Sequence, residues 1–135
     1  MIAPILPPAP PGDEWLDRVD DHDVVLGPLL RSETLAKGFC NFRVINAFLR
    51  NQAGQIWVPR RSAGKRLFPL CLDCSVGGHV GSGENYEEAF FRETAEEIGV
   101  DLRRVPWRLL GKVNPDSSGL SALHAGLRNQ QRGRA

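Results

Sequence analysis

The sequence predicts a single α/β domain, and three observations carry that expectation. Its 135 residues, 41% hydrophobic and 24% charged, suffice for one packed core and not two. Short β-rich runs bounded by turn residues flank one long amphipathic segment. That segment, residues 78–100 (GHVGSGENYEEAFFRETAEEIGV), reads as a glycine-rich loop entering a helix that Gly99 closes.

Composition narrows the function. A formal charge of +1 offers no field for nucleic acid or a membrane surface. No apolar run approaches the roughly 18 residues of a membrane span. Residues 1–15 lack the basic start and long apolar stretch of a signal peptide. Three cysteines, an odd number, suit a reduced cytoplasmic protein.

Taken in order, residues 1–12 carry Pro4, Pro7, Pro8, Pro10 and Pro11, the composition of a flexible, extended arm. Residues 13–112 form the expected domain. Within 13–36, Trp15-Leu16 and Val24-Val25-Leu26 are split by the acidic turn Asp20-Asp21-His22-Asp23, which predicts a hairpin. Residues 42–50 (FRVINAFLR), a turn at 51–54 and a return strand at 55–59 (QIWVP) predict a second hairpin, central to the sheet. Arg60, Arg61, Lys65 and Arg66 follow, a cluster that suits a polyphosphate or an ordinary solvated loop.

Residues 68–76 (FPLCLDCSV) read as a strand. Its Cys71 and Cys74 lack the second pair of a zinc site and are expected as buried free thiols. A further strand is expected at 107–110. Residues 113–135 hold one Asp, no Glu and little alternation, and read as a tail, atypical or disordered, or as a short helix at 120–127.

On a helix of about 100° per residue, Glu96 and Glu97 fall about −60° and +40° from Glu93, while Phe91, Thr94, Ala95 and Ile98 lie on the opposite side. The sequence thus predicts a sheet-facing side and a separate acidic face. Clustered carboxylates repel, and Arg92 answers only one of them. A hard divalent cation, Mg2+ or Mn2+, would answer the rest; a solvated acidic helix is the other reading.

The spacing is more specific. Gly78, five residues, Glu84, seven residues, Arg92-Glu93-Thr94, one residue, Glu96-Glu97, one residue, Gly99-Val100 is similar to the Nudix signature GX5EX7REUXEEXGU, with U a bulky apolar residue. Only Thr94, at the first U, departs from it. The resemblance implies an α/β/α sandwich around a mixed sheet, either complete or short of strands at the C-terminal side. It implies a metal-dependent hydrolase that cleaves the diphosphate linkage of a nucleoside di- or triphosphate or a related nucleoside diphosphate derivative. Glu96 and Glu97 would be the main ligands to Mg2+ or Mn2+. Glu93 would be a further ligand or the general base, and the Gly78 carbonyl an additional ligand. Arg92 would pair with Glu84 and hold the loop against the helix. Arg60 and Arg61 would bind substrate phosphates. Of the acids after the signature only Asp101 and Asp116 remain to supply another base, which favours Glu93.

The run from 44 to 90 also resembles the Nudix branch nearest isopentenyl-diphosphate isomerase. Those enzymes protonate an alkene with a cysteine just before the Gly-His of the box. Gly77 stands there instead, and Phe42 stands where an upstream histidine ligand is expected, so hydrolysis is favoured over isomerisation and His79 is read as a loop residue. The third reading is a truncated, catalytically impaired relative. In that case an unpaired sheet edge would invite a homodimer. The expected partner is otherwise a small diphosphate substrate, with no nucleic acid and no membrane.

Overall fold

A computed structural model of the chain describes residues 4–38, 41–113 and 123–129. Its elements run β1 (Trp15–Val19), β2 (Val25–Leu30), α1 (Arg31–Ala36), β3 (Arg43–Phe48), β4 (Val76–His79), α2 (Tyr86–Ile98), β5 (Trp107–Val113) and β6 (Leu123–Asn129). They form a two-stranded sheet, β1-β2, and a mixed four-stranded sheet in the order β4-β3-β6-β5. The arm before β1 is largely exposed, yet it is fastened: the Trp15 indole N–H donates to the Pro7 carbonyl at 2.8 Å, and Arg31 donates to the Gly12 carbonyl at 2.7 Å.

The first expected hairpin is present. β1 and β2 pair antiparallel from Trp15↔Leu30 to Val19↔Val25, with an irregularity near Arg18. The acidic turn closes on itself, because the Asp20 carboxylate accepts from the backbone N–H groups of His22 and Val24, both at 2.9 Å. Asp23 takes a left-handed conformation, φ 63°, which a short polar side chain tolerates best. That turn aims its carboxylate inward. There it accepts from Arg43 on β3 at 2.6 Å, from the Tyr86 hydroxyl on α2 at 3.1 Å, and from Lys112 on β5. Arg43 and Lys112 also lie over the Tyr86 ring, 5.4 and 5.2 Å from its centre.

One carboxylate therefore joins four elements. Burial works against its charge, but the bonds from Lys112, Arg43 and Tyr86 prevail and hold Asp23 below the ordinary aspartate pKa. A depressed carboxylate pKa contributes stability above the unfolded value, about 3.9, and loses it as pH falls through the folded value. Asp23→Asn is expected to cost about 2–3 kcal/mol at pH 7. Its penalty should shrink toward zero as pH falls below the unfolded value and through the lower folded one, measured as the difference in urea unfolding midpoints across pH.

β3 is central, as expected, but its partners differ from the expectation. It pairs antiparallel with β4 and parallel with β6. The return strand at 55–59 does not form. An isolated bridge, Arg50↔Ile56, and separate hydrogen bonds, among them Trp57 N–H to the Leu49 carbonyl and Ser75 to the Trp57 carbonyl, hold that segment in place of a ladder. Residues 68–75 are likewise not a strand: Phe68 and Leu70, on either side of Pro69, both have positive φ (49° and 61°), which breaks extension there. At 120–127, where the sequence left a helix or a tail open, β6 occupies 123–129 and bridges β3 to β5.

The core lies between the four-stranded sheet and α2. Ile45, Ala47, Val76, Val80, Ala89, Phe90 and Leu102 are buried together. Phe90, Phe91 and Trp107 meet edge to face, with centroids 5.5–6.1 Å apart. Burial of Phe90 alone contributes roughly 2–3 kcal/mol. The helix starts where its cap chemistry dictates: Asn85 accepts from Glu88 N–H at 2.8 Å and Glu88 returns the bond to Asn85 N–H at 2.9 Å. It ends at Gly99 in a left-handed conformation, φ 67°. Among the described residues no helix is long and apolar enough to cross a membrane.

Candidate active site

The helix packs differently from its periodicity. Ala95 is exposed, and the buried residues are Ala89, Phe90 and Thr94. Ala89 and Phe90 fall about −40° and +60° from Glu93 at 100° per residue, so Glu93 and Glu97 continue the sheet-facing side rather than opposing it. Glu93 can do so because β4 presents Gly78 there, and Glu97 accepts from the Gly77 N–H. A Cβ on Gly78 would stand 2.3 Å from Glu93 Cδ and 2.5 Å from its Oε1. Gly78 thus leaves a slot that the Glu93 carboxylate fills. Thr94, at the one departure from the apolar pattern, is buried, and its hydroxyl has no partner among the described residues, a cost of about 1–3 kcal/mol.

Arg92 organises the acids. Its Nε and Nη2 donate to the two oxygens of Glu84 at 2.6 and 2.8 Å, a bidentate pair. Its Nη1 donates to Glu93 at 2.8 Å and more distantly to Glu96 at 3.4 Å, and Nη2 also reaches the His79 carbonyl at 3.1 Å. Glu84 in turn accepts from Gly81 N–H at 2.7 Å. Its pKa is depressed chiefly by the Arg92 bonds, against the opposing effect of burial. Glu84, Arg92 and Glu93 are therefore one network that ties the loop to the helix.

Glu97 stands apart from that network. Burial and then the charge of Glu93 raise its pKa; a bond from the Gly77 N–H and the nearby Lys65 pull it down, and Asp73 adds to the rise. Glu96 points outward. Among the described residues no three acidic, histidine or cysteine side chains are already drawn together as a ready-made cation site. The donor set is nevertheless all oxygen, and Glu97 feels the charge of Glu93 and Asp73 with no arginine of its own among the described residues. That imbalance fits a hard divalent cation such as Mg2+ or Mn2+.

A cavity of about 480 Å³ opens beside Glu97, lined in part by Trp57, Arg60, Arg61, Lys65, Asp73 and Gly77. Arg60 and Arg61 line it but spend their guanidinium groups on the loop. Arg60 donates to the Leu70 carbonyl at 2.7 Å, and Arg61 to the Leu67 carbonyl at 3.2 Å and to Asp73 at 2.6 Å. They brace the strained turn around Phe68 and Leu70. Lys65 has no such bond among the described residues.

Three acids from elsewhere in the sequence reach this corner, and local patterning gave no sign of them. Asp73 is one. Asp17 of β1 is another: it accepts from the Ser82 hydroxyl at 2.6 Å and Gly83 N–H at 2.9 Å, clasping the loop before α2 to the hairpin. Glu14 is the third, lying 3.1 Å from His79 Nδ1 and 3.2 Å from Arg31. His79 is the last residue of β4 and not part of a loop, and Phe42 packs on its ring at 5.5 Å. Asp101 pairs instead with Arg103 at the surface, and Asp116 lies outside the described residues.

The expected buried thiols differ. Cys71 is exposed. Cys74 donates to Asn46 and to the Val76 carbonyl, both at 3.2 Å, and burial followed by the Asp73 charge pushes its pKa up to about 12. A side chain at Gly77 would meet Cys74 Sγ at 2.9 Å. Cys74 thus fills the room that a thiol at position 77 would need.

The slot, the arginine fork and the acid spacing coincide with the match of the NUDIX domain family model to residues 41–121. The chain belongs to the Nudix family. An uncharacterised Nudix hydrolase of Nostoc sp. is 54% identical over 109 residues, 81% of this chain and 64% of the relative. The crystal structure of a Deinococcus radiodurans protein superposes with a TM-score of 0.79 at 44% identity, over 90% of this chain and 74% of that one. The chain thus spans less than two thirds of the length of the curated Nudix relative. An isopentenyl-diphosphate Delta-isomerase of Klebsiella pneumoniae is 42% identical over only 57 residues, 42% of this chain and 31% of the isomerase. The Nudix fold, a mixed sheet with helices packed against it, is the one described above.

Proposed function

We propose that the chain hydrolyses the diphosphate linkage of a nucleoside di- or triphosphate or a related nucleoside diphosphate derivative, with Mg2+ or Mn2+. The observation that supports this best is the seating of Glu93 against Gly78, with Glu97 accepting from the Gly77 N–H beside a cavity that holds an uncommitted lysine. Glu96, Glu97 and the Gly78 carbonyl would hold the ion, with Glu93 as a further ligand or as general base. Bound there, the ion supplies charge neutralisation of the diphosphate and a more acidic water.

The chain's own residues do the rest. Lys65 meets the phosphate charge as it enters the cavity, while Arg60 and Arg61 shape the rim and offer their remaining donors. Arg92 keeps Glu93 in one rotamer, so a proton taken at its carboxylate is taken from a fixed direction. Asp17 and Glu84 hold residues 81–84 still, which fixes the Gly78 carbonyl at the foot of the loop. The supporting electrostatics are preorganised rather than assembled on binding.

The isomerase alternative has no thiol to work with. Position 77 is glycine, and the neighbouring Cys74 thiol is turned to Asn46 and the Val76 carbonyl. Phosphate release from a nucleotide panel with Mg2+ tests the proposal. Glu97→Gln should lower kcat by at least about 100-fold and abolish the rise in melting temperature that Mg2+ gives the native protein. Unchanged turnover in that variant would remove the hydrolase reading. Absence of both activity and Mg2+ stabilisation in the native chain would favour the catalytically impaired reading.

A further inference from the structure

A second cavity, of about 530 Å³, is lined by Leu49, Arg50, Asn51, Gln55, Ile56 and Trp57. Trp57 is the one residue it shares with the cavity beside Glu97. We propose that this groove is the subsite for the organic half of the substrate, and that it takes a heteroaromatic ring, a nucleoside base, laid across Trp57. The inference rests on the hydrolase reading for its first half, since it assumes that the diphosphate sits beside Glu97.

Trp57 and Ile56 are 48% and 52% exposed. Large aromatic and aliphatic side chains side by side at the surface mark a contact surface rather than a core. The backbone that carries them is not loose. Trp57 N–H donates to the Leu49 carbonyl at 2.9 Å, and its carbonyl accepts from Ser75 at 2.6 Å. The indole is therefore presented on a fixed strut. One turn earlier, Asn51 donates to Gln55 Oε1 at 2.8 Å, and its own Oδ1 accepts from Gln55 N–H at 3.0 Å. That exchange orients the Gln55 amide and leaves its NH2 unspent among the described residues.

The lining discriminates between classes of ligand. Leu49, Ile56 and Trp57 are apolar, but Arg50, Asn51 and Gln55 make up the other half. A saturated or isoprenoid chain would desolvate those polar groups with no return. A flat ring with a polar edge stacks on the indole and gives the amide and guanidinium donors a partner. The volume also lies within the usual range for a small-ligand site. Two cavities that share one aromatic suit a substrate with two chemically different halves, charged in the cavity beside Glu97 and flat in the other.

The test uses the full chain and reads tryptophan fluorescence. Adenosine and cytidine 5′-monophosphates should quench emission saturably, whereas inorganic phosphate and isopentenyl monophosphate should not. Trp57→Leu should remove the quench and raise the nucleotide dissociation constant roughly tenfold, while Trp57→Phe should retain most of the affinity. In turnover, Trp57→Leu and Ile56→Ser should each lower the ratio of kcat/KM for a nucleoside diphosphate over isopentenyl diphosphate by about the same factor. A thermal melt confirms that each variant is folded. A quench that persists in Trp57→Leu, an unmoved ratio in folded variants, or isopentenyl monophosphate binding as tightly as the nucleotides would overturn the subsite. Saturable quench without turnover of any diphosphate would support the subsite and count against the hydrolase reading.

Discussion

Gly78→Ala should all but abolish hydrolysis in a protein that still folds. The added Cβ would sit where Glu93 Cδ, Oε1 and Cγ now lie, at 2.3, 2.5 and 2.7 Å. Those atoms form the end of a flexible side chain, so the clash resolves by swinging the carboxylate out, not by moving backbone. Gly78 has an ordinary φ that alanine accepts. The stability cost is therefore limited to one charged hydrogen bond to Arg92 and some side-chain entropy, about 1 kcal/mol. The functional cost is much larger, because a catalytic group displaced by an ångström loses on the order of 100-fold or more. Steady-state turnover with Mg2+, paired with a urea unfolding curve, reads both. Near-native kcat in the folded variant would show that Glu93 need not occupy the slot.

Arg92→Ala should do the opposite, damaging the fold as well as the chemistry. It removes both bonds to Glu84, the bond to Glu93 and the bond to the His79 carbonyl. Two partly buried carboxylates are left without a counter-charge. Full burial would put the loss at about 3–5 kcal/mol. Since Arg92 is one-third exposed, about 2–3 kcal/mol is the reasonable expectation after solvent screening. The sign with pH follows from Glu84, whose folded pKa is depressed, first by the Arg92 bonds. The pair stabilises above the unfolded glutamate value, about 4.3, and ceases to do so as pH falls through the folded value. The gap between native and Arg92→Ala melting temperatures should thus be widest near neutrality and close in acid. Arg92→Lys should recover little, because one ammonium cannot span both Glu84 oxygens.

How much of this was legible in the sequence depended on whether the deciding physics was local. The end of α2 was legible because Gly99 sets it through a bond only a few residues long. The β1–β2 hairpin was legible because Asp20 closes its own turn. The orientation of α2 was not. Periodicity assumes that charged residues avoid the sheet, and a glycine on a separate strand, Gly78, reverses that for Glu93. The return strand at 55–59 was overestimated because the turn before it is real while the ladder after it is not. β6 was missed because its place is set by partners 80 residues away, which no local alternation encodes. Arg60 and Arg61 were read as free cations, since a sequence does not show that their charges are spent on the carbonyls of a strained loop. Asp17, Glu14 and Asp73 reach the site only through tertiary packing.

The parallel pairing of β3 with β6 sets an order of events during synthesis. The loop, α2 and the glycine strand it packs against have all emerged by residue 99, but the strand that flanks β3 on its other side ends only at residue 129. At typical elongation rates that interval lasts roughly 2–6 s. For that time the catalytic corner can form while one edge of the central strand remains an open template for other chains. Closing so distant a pair is also entropically slow. Nascent chains of this protein should therefore depend on chaperone cover late in translation, after the chemistry is already encoded and before the sheet is sealed.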